Sequence, residues 1–293
     1  MTVLATLSIT GITVGAVYGL IALGFVLLYK STGVFNVAHG QLVVLGAFIC
    51  YALAVQAGLS FLLAIPLTLL LSFFLGFVIE RLFMRPMIGQ PLLGIIMMTI
   101  GLVSLLRGII LAGWPTVQDI YPAYLPEQPL LIGRVIVPQI NIWAFVIASV
   151  LLIAFAIFFR FTKIGMAMRA TAENEQVAQT VGVNVEWIFG LSWAISSAVA
   201  ALAGILLATL LFLSINLEAI GLFSLSAVVV GGLESLPGAV IGGVIIGLVE
   251  QFSEGYLGDL VPGIKMVAPY VVLLLILIIR PYGLFGYKRI ERI

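Results

Sequence analysis

Few side chains in this 293-residue chain could do chemistry, and their spacing limits what that chemistry is. His39 is the sole histidine and Cys50 the sole cysteine. A zinc site or a histidine general base needs partners in matching geometry. None stands near either residue in sequence, so neither a metal site nor a catalytic His39 is expected. Glu80, Arg107, Glu234 and Glu250 fall in or beside apolar stretches, where an ionisable group is costly and marks a paired or functional position. Arg107 sits in the outer half of its span, placed to snorkel or to pair with a carboxylate. Glu80 beside Arg81 reads as a structural ion pair, Glu234 as a group lining a wet cavity, and Glu250 as the solvated end of a helix. No Asp/Glu/His series of the kind a proton relay uses is present, and no G-x-S-x-G or H-E-x-x-H motif occurs. No catalytic residue and no cofactor is expected. A sodium-coupled carrier that relies on backbone carbonyls stays open.

The elements that must position these residues follow from composition. The chain is 63% hydrophobic and 9% charged, far from the balance of a water-soluble domain, so the bilayer is its solvent. Net charge is +1 and the basic residues are dispersed, which excludes a nucleic-acid surface. A spanning helix needs about 20 mostly apolar residues. That rule gives spans near 4–29, 37–57, 61–79, 91–113, 141–160, 187–213 and 265–280, with a less simple apolar region at 220–250. The expected fold is all-α: a single polytopic integral membrane domain over 1–293 with about eight spanning helices. The first span lacks a basic flank, so no cleavable signal peptide is expected.

Lys and Arg collect in cytoplasmic loops. Arg81 with Arg85, Arg160 with Lys163 and Arg169, and Arg280 with Lys288, Arg289 and Arg292 therefore lie inside together with Lys30, leaving Arg134 and Lys265 outside. The N-terminus is then external and the C-terminal tail internal. Region 220–250 must begin and end outside, which predicts a hairpin: a short helix near 220–231, a turn, and a helix near 237–250. One long kinked helix is the alternative. Asn36, His39, Gln41, Gly231, Gly232, Glu234 and Ser235 are the candidate lining of a pathway or of that hairpin.

Two loops stand out. The external, periplasmic segment 114–140 holds Pro115, Pro122, Pro126, Pro129 and Pro138, which exclude a continuous helix. Trp114, Tyr121 and Tyr124 suit the lipid–water boundary; the loop either docks an external partner or covers the helix ends. The cytoplasmic loop 161–186 carries a helix start at Thr171 to Asn174, then Val177, Ala178 and Val181, and Gly182 as a stop. Such an exposed amphipathic helix either packs back on its own protein or enters a groove on a partner. Gly11, Gly15 and Gly19 recur every fourth residue, as do Gly238 with Gly242 and Gly243 with Gly247, a spacing that lets helix backbones approach closely.

Four blocks in order then carry a resemblance: Tyr18 to Gly24 followed by Gly33 to Gln41; Gly165 to Gly182 with Arg169 to Asn174 at its centre; Gly231 to Ala239 leading to Gly242 and Gly243; and Arg280 to Gly286. Along essentially its whole length the chain resembles the permeases of branched-chain amino-acid ABC importers, the shorter of their two partner permeases. The resemblance implies a second permease subunit, two cytoplasmic ABC ATPase subunits, an external substrate-binding protein, and alternating access in the cell inner membrane. It makes 161–186 the coupling loop, with Gly165, Arg169, Glu173, Asn174, Ala178 and Gly182 at the ATPase contact. Relatives with similar blocks carry urea or short amides, so those substrates stay open beside amino acids. A stand-alone secondary transporter is the rival outside this class.

Overall fold

The computed structural model describes residues 2–114, 121, 124, 126, 128–132 and 135–286. Pro115, Pro122, Arg134, Lys288, Arg289 and Arg292 lie outside the described residues. The order is α1 (Thr2–Thr32), α2 (His39–Tyr51), α3 (Phe61–Ile79), α4 (Leu92–Gly113), β1 (Pro129–Ile132), β2 (Val135–Pro138), α5 (Gln139–Phe161), α6 (Lys163–Glu173), α7 (Glu175–Thr180), α8 (Val185–Leu210), α9 (Leu217–Gly231), α10 (Leu236–Leu257) and α11 (Ile264–Ile279). Among the described residues seven helices are long and apolar enough to cross a membrane, α1 to α5, α8 and α10, the second and third counted with the π-helical turns that extend them. The shorter α9 and α11 are also apolar. Only 28% of the apolar window of α3 and 22% of that of α4 is buried. Apolar side chains facing outward over most of a helix demand lipid or another apolar surface as their surroundings.

The chain forms two compact units. One comprises Met1–Val26, Leu125–Leu152 and Leu222–Ile293. Here α1 and α10 meet along the predicted glycine faces. A Cβ added at Gly15 would stand 2.7 Å from the Val244 Cα, and one at Gly11 would stand 3.0 Å from the Leu248 Cα. The reciprocal glycines, Gly243 and Gly247, face Gly15 and Gly19, and Gly11 and Gly15, respectively. Region 220–250 is a helix pair, α9 and α10, rather than one kinked helix. Gly232 makes the turn at φ +107°, and Ser235 Oγ accepts from Gly238 N at 3.0 Å to cap α10. Helix C-termini leave carbonyls without intrahelical partners. Those of α9 are taken by the segment after α11: Leu284 N donates to Val230 O at 2.9 Å and Phe285 N to Gly231 O at 3.0 Å. The proline-rich segment contributes the antiparallel hairpin β1–β2, with Pro129 opposite Pro138.

The other unit comprises Leu27–Tyr124 and Ile153–Gly221. Its centre is α8, with α2 and α3 packed most extensively against it. The sequence placed Tyr121 and Tyr124 at the lipid boundary; the structure turns them inward. Tyr121 is 4% exposed and its hydroxyl donates to Ala47 O. Tyr124 stacks on Phe61 at 4.4 Å and hydrogen-bonds Thr209 at 2.5 Å. Burial pushes the Tyr124 phenol up to about 12 and Tyr121 higher still, so both hydroxyls stay neutral. Tyr121 and Tyr124 thus contact α2, α3 and α8 near their ends.

The glycine contact between α1 and α10 has a measurable consequence. Gly15→Ala forces backbone against backbone and is expected to cost about 1–3 kcal/mol. Gly101→Ala on α4, where nothing lies within 4 Å, is expected to be neutral or stabilising by about 0.5–1 kcal/mol. Melting of the purified variants in detergent checks this; equal midpoints would refute the close packing.

Candidate functional site

The second unit gathers the polar residues that stand out at depth. The chain leaves α1 after Thr32, runs without helix through 33–36, and enters α2 at His39. The contact between His39 Nδ1 and Ser196 Oγ, at 3.4 Å, falls near the midpoint of α8. Counting about 1.5 Å per residue puts Ser196 about 16 Å from the α8 N-terminus. So α2 starts deep beside α8, not at its end. Asn36 organises the entry: its Oδ1 accepts from Ala38 N at 3.0 Å. Non-helical backbone at such depth is tolerated where protein surrounds it, and Asn36, His39 and Gln41 are all at most 3% exposed.

A second helix starts beside it. Gly221 on α9 lies against Gly40 on α2, where a Cβ would stand 2.5 Å from the Gly40 Cα. That approach sets the first turn of α9 against the first turn of α2. Glu218, in the first turn of α9, suits a helix N-terminus, whose partial positive charge favours a carboxylate. It accepts from Gln41 Nε2 and pairs with Arg107 of α4 at 2.5 Å. Sequence reasoning foresaw a carboxylate partner for Arg107 but not which; Glu218 was overlooked because it lies at the edge of the hairpin region. Gln41 Oε1 and Asn36 Nδ2 are buried with no hydrogen-bond partner among the described residues. Gly231, Gly232, Glu234 and Ser235 belong to the other unit, where the glycines and Ser235 make the α9–α10 turn.

Two ionisable residues stand differently from expectation. Glu80 is 1% exposed and pairs with Arg85, not Arg81, at 3.2 Å. The cause is a π-helical stretch, Glu80–Met84, whose wider turn brings i and i+5 to one face. Arg85 also holds Glu186, at the start of α8, at 3.1 Å. Glu250 is not a solvated helix end: it lies within α10, 8% exposed, and accepts from the Tyr18 hydroxyl at 2.5 Å.

Loop 161–186 is two helices, not one beginning at Thr171 to Asn174. Thr162 caps α6 by accepting from Gly165 N at 3.0 Å, and Asn174 both ends α6 and caps α7 by accepting from Val177 N at 3.0 Å. Gly165 lets α6 pass close to the Phe159 carbonyl. Arg169 donates to Arg160 O at 3.1 Å and lies over the Phe159 ring, fastening α6 to the end of α5. No ion pair joins it to Glu173 among the described residues. Ala178 is buried with Val185 and Phe189 of α8, and Gly182 turns the chain at φ +88°. These residues shape the element and leave Glu173, Met166, Val177 and Val181 on its exterior, Val181 at 73% exposure. Above it, a cavity of about 210 Å³ is lined by Thr32, Glu80, Met84, Glu175, Phe189 and Trp193 among others.

The Arg85 bridge fixes the base of α8. Arg85→Met leaves Glu80 buried and uncompensated, at a cost of about 3–5 kcal/mol. Glu186→Gln removes a carboxylate that is 67% exposed and is expected to cost less than about 1 kcal/mol. Unfolding of the two variants in detergent measures the difference, and similar losses would show that the buried Glu80 contact is not the anchor.

Comparison with known proteins brings these features together. Residues 7–279 match the family described as branched-chain amino acid transport system, permease component. The chain is 29% identical to the high-affinity branched-chain amino acid transport system permease protein BraD of Pseudomonas aeruginosa, over 97% of this chain and 96% of that one. Against the corresponding LivH permease of Escherichia coli K12 it is 28% identical over 97% and 96%. A probable LivH permease of Methanocaldococcus jannaschii is 30% identical over 94% of this chain and 90% of that one. The chain belongs to the family of branched-chain amino acid transport system permease components.

Proposed function

We propose that this chain is the membrane-spanning permease subunit of an ATP-driven importer in the cell inner membrane, moving branched-chain or related amino acids. The observation that carries the reading is a family match running through residues 7–279, supported by relatives of nearly equal length that are named for this transport. The sequence holds no G-x-x-x-x-G-K-[ST] phosphate loop, so ATP hydrolysis falls to separate cytoplasmic subunits. A second permease completes the pathway, and an external binding protein delivers substrate. The permease itself makes and breaks no bonds. It shifts between inward- and outward-open populations according to which state its ATPase partners bind better.

Loop 161–186 is the coupling element in this reading, on the cytoplasmic side. Its exterior offers Met166, Val177 and Val181 together with Glu173, the mix of exposed apolar and charged side chains that a partner groove can take. Its interior is locked to α8 through Ala178, Val185 and Phe189. A push on α6 and α7 is therefore a push on α8, and α8 carries Ser196, which touches His39 at the start of α2.

Glu173→Lys and Val181→Asp alter that exterior without touching the interior contacts. Each is expected to leave membrane insertion and melting unchanged while ATP-driven uptake falls at least about tenfold, the scale of removing an interface hot spot. The assay is uptake of labelled leucine, isoleucine and valine into proteoliposomes holding the importer purified from its native membrane. Normal uptake in both variants would remove the coupling assignment. A solitary chain that transports without ATPase subunits would establish a secondary transporter, and uptake of urea or acetamide in place of leucine would establish an amide permease.

A further inference from the structure

Arg107, Glu218 and Gln41 come from three helices and meet where two of those helices begin. One wall of the cluster is shut: Gln41 is 3% exposed. The other is open, with the side chains of Arg107 and Glu218 at 48% and 25% exposure. The two charges form the outer side of the cluster and the Gln41 amide lies behind them. We propose that Arg107 and Glu218 are the head-group subsite for an α-amino-acid zwitterion, Glu218 taking the ammonium and Arg107 the carboxylate. The proposal deepens the amino-acid reading above and rests on it.

Charge balance selects the ligand. The empty cluster holds one guanidinium against one carboxylate and is neutral as a pair. A zwitterion inserted between them replaces one ion pair by two and leaves the sum unchanged. A lone cation or a lone anion would open the ion pair and leave one of its charges uncompensated. A neutral amide gains nothing from opening the pair.

The unsatisfied amide atoms fit the same ligand. Gln41 Nε2 already donates to Glu218, which places its Oε1, a free acceptor, beside the position of the ammonium. Asn36 Nδ2, a free donor, stands at the foot of α2. Leaving a buried polar atom without a partner carries a free-energy cost. A ligand that supplies the missing partners recovers that cost when it binds.

The test uses the complete importer in proteoliposomes, with ATP-driven leucine uptake measured first, and a diazirine analogue of leucine that keeps both head-group charges. Illumination is expected to label peptides within 36–47, 102–113 or 213–225 of the wild-type chain. Excess leucine should protect against labelling. Isocaproate, which lacks the ammonium, and isoamylamine, which lacks the carboxylate, should not. Glu218→Gln and Arg107→Gln should each reduce labelling at least about tenfold, as expected when one of the two charges that hold the head group is lost. Arg107→Lys, which keeps the charge, should retain more labelling than Arg107→Gln. Labelling confined to other segments while uptake is intact would overturn the subsite and leave the importer reading standing, and so would equal protection by all three competitors. Uptake of acetamide but not leucine by the wild type would overturn the subsite and the amino-acid reading together.

Discussion

In hydrocarbon every backbone N–H and C=O must find its partner within the protein, and the architecture of this permease is organised around the places where helices break that rule. The chain loses helix at 33–36, again at 211–216 and again at 232–235. Each break lies beside a close contact within the protein. Asn36 closes the first upon Ala38. Gly40 against Gly221 draws the helix starts that follow the first two breaks into contact. The third is closed by Ser235 on one side and by Leu284 and Phe285 donating to the end of α9 on the other. Close approach of backbones requires small residues, which is why the helices meeting at these places carry glycine.

The same low dielectric governs the charges. Glu80 is held by Arg85, Glu218 by Arg107 and Gln41, and Glu250 by the Tyr18 hydroxyl. Burying a carboxylate is tolerable only with such company. The three cases differ in exposure, and that difference separates their roles. Glu80 is enclosed and serves to tie α3 to the base of α8. Glu250 is enclosed with an uncharged partner on the glycine-packed pair of α1 and α10. Of these three carboxylates Glu218 is the most exposed, at 25%, and its partner Arg107 is half exposed.

Local signals in the sequence were faithful. Apolar run length located α1 to α5 and α8; the glycine spacing marked faces of close approach, which the structure pairs as α1 with α10; Gly231 to Gly238 located the hairpin; Gly182 located the end of α7. What failed required knowledge of a distant partner or of an unusual turn. Glu80 was matched to Arg81 because adjacency is visible in sequence, whereas a π-helical turn that swings Arg85 into place is not. Glu250 was put in solvent because Tyr18 stands 232 positions away. Val177, Ala178 and Val181 were grouped as one helix face, but α7 is only six residues long. It buries Ala178 and turns both valines out.

The blocks that carried the family resemblance have a common physical character. Tyr18 to Gly24 includes Gly19, which faces Val240 and Gly243 of α10. Gly33 to Gln41 contains Gly40 and Gln41, which meet Gly221 and Glu218. Gly231 to Ala239 receives the block Arg280 to Gly286 on the carbonyls of α9. Gly165 to Gly182 is shaped by the end of α5 and the start of α8. In each case a short stretch touches a remote backbone at a distance that admits few side chains. Lipid-facing surface, by contrast, asks only that a residue be apolar, and many sequences meet that demand. Short blocks of tightly constrained residues in a largely apolar chain are what such a division of constraints produces. They therefore mark where the helices break and meet, and the polar cluster of α2, α4 and α9 lies at one of those meeting points.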